Sequence, residues 1–475
     1  MKKCSYCGRE NEDVAVQCRE CGTDEFDGGL PQTPAAPTIA TCQLCHVTTD
    51  IKGAFGRLRM PTKTLMLCPI CWHRQRNKMN QWLLILQLGF GPLGIFLLCW
   101  LPENGCGWVV LNLFIFHLAT ILSLVPHEFC HALAARCVGW RVFKIFIGSG
   151  KVMAKTVLLG FETEFRAIPL GGLTLVAPRH PGHYRAKRFA ITAAGPLANA
   201  FLAGACFAFM AGSFHGFSFI AQRPLPVEML FIANLFITFQ NLLPHKITTA
   251  LGETSSDGMG LLQAIRSNPD RAKESHVARF LLEAAVCMER KQFAAAQSWR
   301  EQGLQQYPDN LQLQISVGAA LIHAQQYDDA RDWFLKILPG PEKNRLLHCL
   351  TLNNLAYIAA LLGRPELLPE ADRYSLEALK GLSWMAAIKG TRGSVLLALD
   401  RPGEAAPFLR DAMQQCDDPN AKAESACWLA IAETRLGNME TGRDYLEQAR
   451  KLDSACCLLE YAQKAMATAT TESDH

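Results

Sequence analysis

Residues Trp108–His131 read WVVLNLFIFHLATILSLVPHEFCH. The part from Trp108 to Val125 carries no formal charge, and its length is close to the roughly 20 apolar residues that cross a bilayer. It runs through Pro126 into an H-E-x-x-H motif. Residues four apart on a helix share a face, so His127 and His131 can offer imidazole nitrogens to one zinc ion. Glu128 lies beside them, placed to take a proton from a water activated there. Ionisable groups inside a span are costly to keep, which makes the cluster a functional site by default. The expected chemistry is metal-dependent hydrolysis within the bilayer.

Outward from this stretch, further apolar runs cover Trp82–Leu101, Phe189–Gly212 and Leu225–Leu243, making four spans with Trp108–Cys137. Arg74, Arg76 and Lys78 precede the first span, and ten Lys/Arg lie between Arg136 and Arg188 against only Glu162 and Glu164. The loop Glu103–Gly107 has no Lys or Arg, and Ser213–Pro224 has only Arg223. Basic loops stay on the cytosolic side, so both termini are expected in the cytosol, with the motif near the cytosolic end of span two. The opening residues MKKCSYCGRE lack the apolar core of a signal peptide. A multi-pass protein of the cell (inner) membrane is expected. The net charge of +4 on 475 residues is too small to argue for nucleic acid.

Of 19 cysteines, eight form four C-x-x-C pairs near the N-terminus. Cys4, Cys7, Cys18 and Cys21 make one set over 1–27. Cys42, Cys45, Cys68 and Cys71 make a second over 42–78, after a Pro/Ala/Thr/Gly-rich linker at 28–41. Four thiolates close a tetrahedral shell, so two structural zinc ions are expected. Segments this short need metal to fold. Lys52, Arg57, Arg59 and Lys63 suit anionic lipid headgroups as well as nucleic acid. Scattered free thiols fit a reducing compartment.

Between spans two and three, VFKIFIG and KVMAKTVLL flank Ser149-Gly150, and FETEFRAI leads into Ile168-Pro169-Leu170-Gly171-Gly172. Alternation and the Gly-Ser-Gly turn predict a β-hairpin or meander against the membrane. From 275 to 460, small and aromatic residues recur: Gly318, Tyr327, Ala330 and Phe334 repeat the offsets of Ala284, Phe293, Ala296 and Arg300. That step of 34 residues is the tetratricopeptide period, and five helix pairs would stack into an α-solenoid. Residues 461–475 are expected to be a flexible tail.

Two histidines need a third protein ligand. The segment after span four offers Asn241-Leu242-Leu243-Pro244 and then Asp257-Gly258. Here the chain resembles the site-2 protease family of intramembrane zinc metalloproteases. The resemblance rests on H-E-x-x-H on an apolar helix, Pro169-Leu170-Gly171-Gly172, Ala194-Gly195-Pro196-Leu197-Ala198-Asn199, and N-x-x-P followed by Asp-Gly. These occur in the family's order over about residues 108–260. It implies one catalytic zinc held by His127, His131 and Asp257, with Glu128 as general base. It also puts Gly171, Gly172, Asn241 and Pro244 on the substrate side. The family's Asp often follows the Pro closely, whereas here HKITTALGETSS intervenes, leaving Glu253 and His245 as rivals. Asn199 could aim its amide at the attacking water or the developing oxyanion. An edge of the 142–168 hairpin could hold substrate by strand addition.

The expected fold is mainly α: a four-span membrane protease core at 82–262, with a small β-meander, N-terminal zinc ribbons and a C-terminal tetratricopeptide solenoid. The expected function is cleavage of membrane-embedded protein segments near the cytosolic face, in regulated intramembrane proteolysis. The lipid bilayer and a protein bound by the repeats are the expected partners. The alternative is an inactive scaffold of the same fold.

Overall fold

The computed structural model describes residues 39–51, 54–59, 64–101, 105–210, 223–249, 252–340, 344–416 and 418–472, with short strands at 2–4, 10–11 and 26–27. Those strands, β1 (Lys2–Cys4), β2 (Glu10–Asn11) and β3 (Phe26–Asp27), form an antiparallel sheet in the order β2-β1-β3. Cys7, Cys18 and Cys21 of the first expected ribbon lie outside the described residues. The second cysteine set sits on two hairpins, β4 (Ala40–Thr41) with β5 (Thr48–Thr49) and β6 (Gly56–Arg59) with β7 (Thr64–Leu67).

Helix α1 (Pro69–Trp100) starts inside this module, not at Trp82. Cys68 is its N-cap, accepting from the Cys71 amide at 3.5 Å, and Pro69 occupies the first turn, where its missing N–H costs nothing. The polar stretch HRQRNKMNQ is compatible with helix, so the cysteine module and the first span share one rod. At 1.5 Å per residue it is about 48 Å long, well beyond the roughly 30 Å hydrocarbon layer.

The helices at the other expected spans are α2 (Cys106–Cys137) and α3 (Tyr184–Met210), both long and apolar enough to cross a membrane, and the shorter apolar α4 (Pro226–Leu242). Helices α1 and α2 meet where side chains are absent: a Cβ on Gly94 would lie 2.8 Å from the Leu111 amide, and one on Gly107 2.6 Å from Leu98. Close backbone approach of this kind is how helices associate in lipid, where apolar burial gives no net drive. Trp82, Phe96, Trp100, Phe201 and Phe209 are exposed and suit a hydrocarbon surround. Asn112, fully buried in α2, accepts from Leu225 N and donates to Arg223 O, satisfying the backbone where α4 begins. Helix α4 has only 17 residues, about 25 Å, and packs on α2 and α3.

The sheet departs from the expected hairpin. Strand β8 (Trp140–Leu158) pairs with β9 (Phe161–Pro178), and the chain reverses at Leu159-Gly160, both at positive φ, not at Ser149-Gly150. Gly148 and Gly150, at φ 89° and 82°, bend β8 instead. A Cβ on Gly148 would lie 2.5 Å from the Ile168 carbonyl oxygen, so the bend depends on glycine. The second half of β8 pairs with the first half of β9 (Thr156 opposite Thr163). The first half of β8 lies opposite both halves of β9, Ile147 facing Gly172 on one side and Phe165 on the other. The two long strands thus build a four-segment layer with residues 172–178 at one margin.

The solenoid follows α5 (Asp257–Ile265). Its pairs are α6 (Pro269–Glu289) with α7 (Phe293–Gln306), α8 (Leu311–His323) with α9 (Tyr327–Ile337), α10 (Arg345–Leu362) with α11 (Leu368–Leu382), α12 (Ala386–Ala398) with α13 (Pro402–Gln415), and α14 (Pro419–Arg435) with α15 (Met439–Leu452). Gly318 lets the Phe334 ring in, and Gly393 does the same for Leu409. Residues 461–472 are not a loose tail. Helix α16 (Leu459–Glu472) packs Ala462 and Tyr461 against Trp428 and closes the apolar end of the stack. Helix α10 is apolar enough to span a membrane by composition, but α9, α11 and α12 cover it.

The solenoid is clamped at two places. Asp50 of the cysteine module pairs with Arg345 at 2.7 Å, Arg345 with Glu377 at 2.7 Å, and Thr49 Oγ1 donates to Gly381 O at 2.7 Å. Phe55 meets Trp384 edge-on. At the other end α6 rides on the membrane core: Tyr184 bonds Ser275, Arg185 donates to Ser267 O, Lys144 pairs with Glu289, and Arg290 with Glu162.

Candidate metal centre

His127 and His131 lie one turn apart on α2, both buried. His127 Nδ1 is 2.6 Å from Asn199 Oδ1, and His131 Nδ1 is 2.7 Å from the Ile191 carbonyl. Both partners are acceptors, so each Nδ1 carries the proton and each Nε2 presents a lone pair. The two Nε2 atoms are 3.1 Å apart, and Asp257 stands 3.1 Å from one and 3.4 Å from the other. Three acceptors facing one point without a donor between them call for a cation. A tetrahedral zinc with bonds of about 2.0–2.1 Å would space its ligand atoms about 3.3 Å apart, and these distances fit. A Cβ on Gly195 would fall 2.3 Å from His131 Nε2 and 2.6 Å from His127 Nε2. The space at the cluster exists because α3 has no side chain there.

The twelve residues between Pro244 and Asp257 do not stretch the site. Strands β10 (Lys246–Thr249) and β11 (Gly252–Ser255) zip them into a hairpin, Lys246 opposite Ser255. At its base Ser256 N donates to His245 O at 3.0 Å, and Ser256 Oγ donates to Leu243 O at 2.7 Å. Ser256 then caps α5, and Asp257 opens that helix against the end of α4. A Cβ on Gly258 would lie 1.9 Å from Leu242 O, so only glycine permits the approach. Of the two rivals, His245 is exposed and bonded to Leu243 O, and Glu253 sits in the hairpin opposite Thr248.

Glu128 is 6% exposed. Thr174 Oγ1, on the margin of β9, lies 2.7 Å from its Oε2 and 3.0 Å from its carbonyl oxygen. A Cβ on Gly172 would meet the Glu128 carboxylate at 2.5 Å. The sheet margin that touches the site is therefore 172–176, outside the 142–168 segment expected to receive substrate. Gly171 and Gly172 are exposed there. Asn241 is half-buried at the end of α4 and Pro244 exposed beyond it. Neither joins the His/Asp cluster among the described residues.

Asn199 requires a correction. It is fully buried, its Oδ1 faces His127 Nδ1, and its amide donates to Asn234 Oδ1 at 2.7 Å and Ser123 O at 3.3 Å. Asn234 in turn donates to Ser123 Oγ and Leu230 O. With both amide protons engaged, Asn199 has none for an oxyanion, and its Oδ1 instead holds the imidazole of the candidate ligand His127. Asn199→Ala should weaken zinc binding by about 10–100-fold, measured by competition with a chelator. Unchanged affinity with lost catalysis would return it to the oxyanion role. Sequence reasoning missed Thr174, Ser123 and Asn234, and it named Gly195 only as part of the Ala194–Asn199 motif. Asn234 carried a usable signal, a carboxamide in the middle of the apolar helix α4.

Cys42, Cys45, Cys68 and Cys71 also converge. Cys45 and Cys68 sulfurs are 3.6 Å apart, against about 3.8 Å for tetrahedral zinc thiolates with bonds of about 2.3 Å. Burial, and after it the charges of Cys45 and Cys42, push the Cys68 thiol far above its ordinary value. A divalent cation removes that cost.

Residues 115–223 match the model of Peptidase family M50. The match takes in H-E-x-x-H, both long strands and Asn199. A Ralstonia nicotianae protein, provisionally named a zinc metalloprotease, is 35% identical over 140 residues, 25% of this chain and 29% of the relative. The chain thus matches less than a third of that relative's length. Among solved structures, a thermophilic TPR protein of Thermus thermophilus is similar over 41% of this chain and 99% of its own, at 15% identity and TM-score 0.33. MamA of Desulfovibrio magneticus RS-1 is similar over 38% and 96%, at 13% identity and TM-score 0.27. The repeat assignment rests on the chain's own helix pairs. The membrane core of this chain is thus similar to Peptidase family M50 over residues 115–223, and the His127/His131/Asp257 cluster agrees with that similarity.

Proposed function

We propose that this chain is a zinc endopeptidase that cuts membrane-embedded protein segments near the cytosolic face, as a step in regulated proteolysis. The observation that carries the proposal is the convergence of two imidazole lone pairs and a carboxylate beside the buried Glu128. His127, His131 and Asp257 would hold the catalytic ion. When bound, zinc supplies Lewis acidity to a water and to a peptide carbonyl. Glu128 accepts the water's proton, and Thr174 keeps its carboxylate aimed. Asn199 and Ile191 O fix the ligand imidazoles.

A substrate helix hides its carbonyls in hydrogen bonds, so the scissile stretch must be extended first. The margin at 171–176 can receive it by strand addition, and the bare backbone of Gly171 and Gly172 admits a second chain beside Glu128. Asn241 at the end of α4 and Pro244 just beyond it would contact the substrate as well. The basic residues Arg74, Arg76 and Lys78 in the first turns of α1, and those between α2 and α3, support cytosolic termini and an inner-membrane location. Two further zinc ions would be structural, one in each cysteine set, and the solenoid would dock a protein partner.

The test is purified protein incubated with a panel of single-span membrane proteins before chelation, after chelation and after zinc is restored. Cleavage products should appear, vanish and return. The same products in all three samples would overturn the proposal.

A further inference from the structure

A cavity of about 450 Å³ opens where the solenoid meets the membrane core. Its walls are the Arg179-His180 turn between β9 and α3, the α6 face carrying His276, Arg279 and Phe280, and Trp299 with three glutamines of α7. No carboxylate lines it among the described residues. Arg279 feels the charges of Arg179 and Arg141, and the carboxylate that offsets them, Glu283, is already paired with Arg141 at 3.4 Å. Among the described residues the buried Nε of Arg279 has no acceptor. Three guanidinium groups against one carboxylate leave a standing positive excess, and such an excess in a concave, partly desolvated site favours an anion.

The walls are also preorganised. The Arg279 guanidinium lies over the rings of Trp299 and Phe280, 5.2 and 5.7 Å from their centroids, and donates to Arg179 O at 2.9 Å. His276, 2% exposed, is held between Arg179 O at 3.0 Å and Tyr307 Oη at 2.7 Å. Burial pushes its pKa down, so the cavity's charge belongs to the arginines. The Arg179 side chain is exposed at the rim. Planar guanidinium groups recognise phosphoryl oxygens in pairs, and the glutamines can serve polar atoms beyond them. The first turn of α3 and the apolar run from Phe189 begin a few residues away, so a headgroup and a soluble phosphate can both reach the site.

We propose that this cavity binds a phosphoryl anion, held by Arg179 and Arg279 at the junction of solenoid and membrane core. Occupancy would pin α6 to the turn that leads into α3, the helix whose Ile191 carbonyl orients His131. The proposal does not depend on protease activity.

The full chain in a maltoside detergent, titrated with inorganic pyrophosphate at constant ionic strength, provides the test. The fluorescence difference between wild type and Trp299→Phe should saturate, with the midpoint raised about ten-fold or more in Arg279→Gln and in Arg179→Gln. Because Arg179 is exposed, its substitution leaves the fold intact. In parallel, protein from nanodiscs of mixed phosphatidylglycerol and phosphatidylcholine is assayed for retained lipid. Pyrophosphate saturation alone identifies a soluble ligand, and arginine-dependent retention of phosphatidylglycerol alone identifies a headgroup. Either supports the proposal. Responses that chloride reproduces, or that neither arginine alters, would overturn it.

Discussion

Placing one methyl group at residue 195 should abolish metal binding at the proposed His127/His131/Asp257 site while leaving the helices standing. Gly195 is an interior residue of α3, where alanine is the better helix former by about 0.5–1 kcal/mol, so Gly195→Ala should not unfold the helix. The added carbon would lie within 2.6 Å of both ligand nitrogens. Neither imidazole can swing aside, because His127 is tied to Asn199 and His131 to the Ile191 carbonyl. Loss of an outer partner alone costs about 10–100-fold in affinity, and direct occlusion should exceed that. Zinc analysis should show one ion fewer per chain than wild type, with unchanged helicity. Full zinc content would mean that α3 stands farther from α2 than this geometry requires.

Glu128→Gln should have the opposite signature, with metal retained and turnover lost. The amide oxygen still accepts from Thr174, so the side chain keeps its place, but it cannot take a proton. General-base losses of about 10²–10⁴-fold are typical, and single-turnover cleavage with zinc content measured on the same sample would read the effect. Turnover within a few-fold of wild type would remove Glu128 from the mechanism. Together the two variants separate metal capture from proton transfer.

The parts of this site legible in the chain are those that helical periodicity dictates. His127, Glu128 and His131 follow from a four-residue spacing on an apolar helix, and the five solenoid pairs from a step that brings small residues back to each crossing. Asp257 can be named but not secured, because only pairing of Lys246 with Ser255 reveals that the insertion closes on itself. Asn199 can be found in the sequence, but its task cannot. Its amide direction is set by Asn234 and Ser123, contributed by two other helices, and no local pattern encodes that. The reversal at Leu159-Gly160 escapes notice because Gly148-Ser149-Gly150 looks like a turn, whereas close crossing by Ile168 makes it a bend. Residues 461–472 look expendable because their polar face hides the one strip that covers Trp428.

The double anchorage of the solenoid has a mechanical consequence. Helix α6 is fastened to the sheet through Lys144 and Glu162, and α10–α11 to the cysteine module through Asp50. That module continues without a joint into α1. Sheet, solenoid, module and first span therefore form a closed linkage. In such a frame the solenoid acts as a strut: a change in its curvature alters the separation of its two feet, and the strain reaches α1 and the strand margin together.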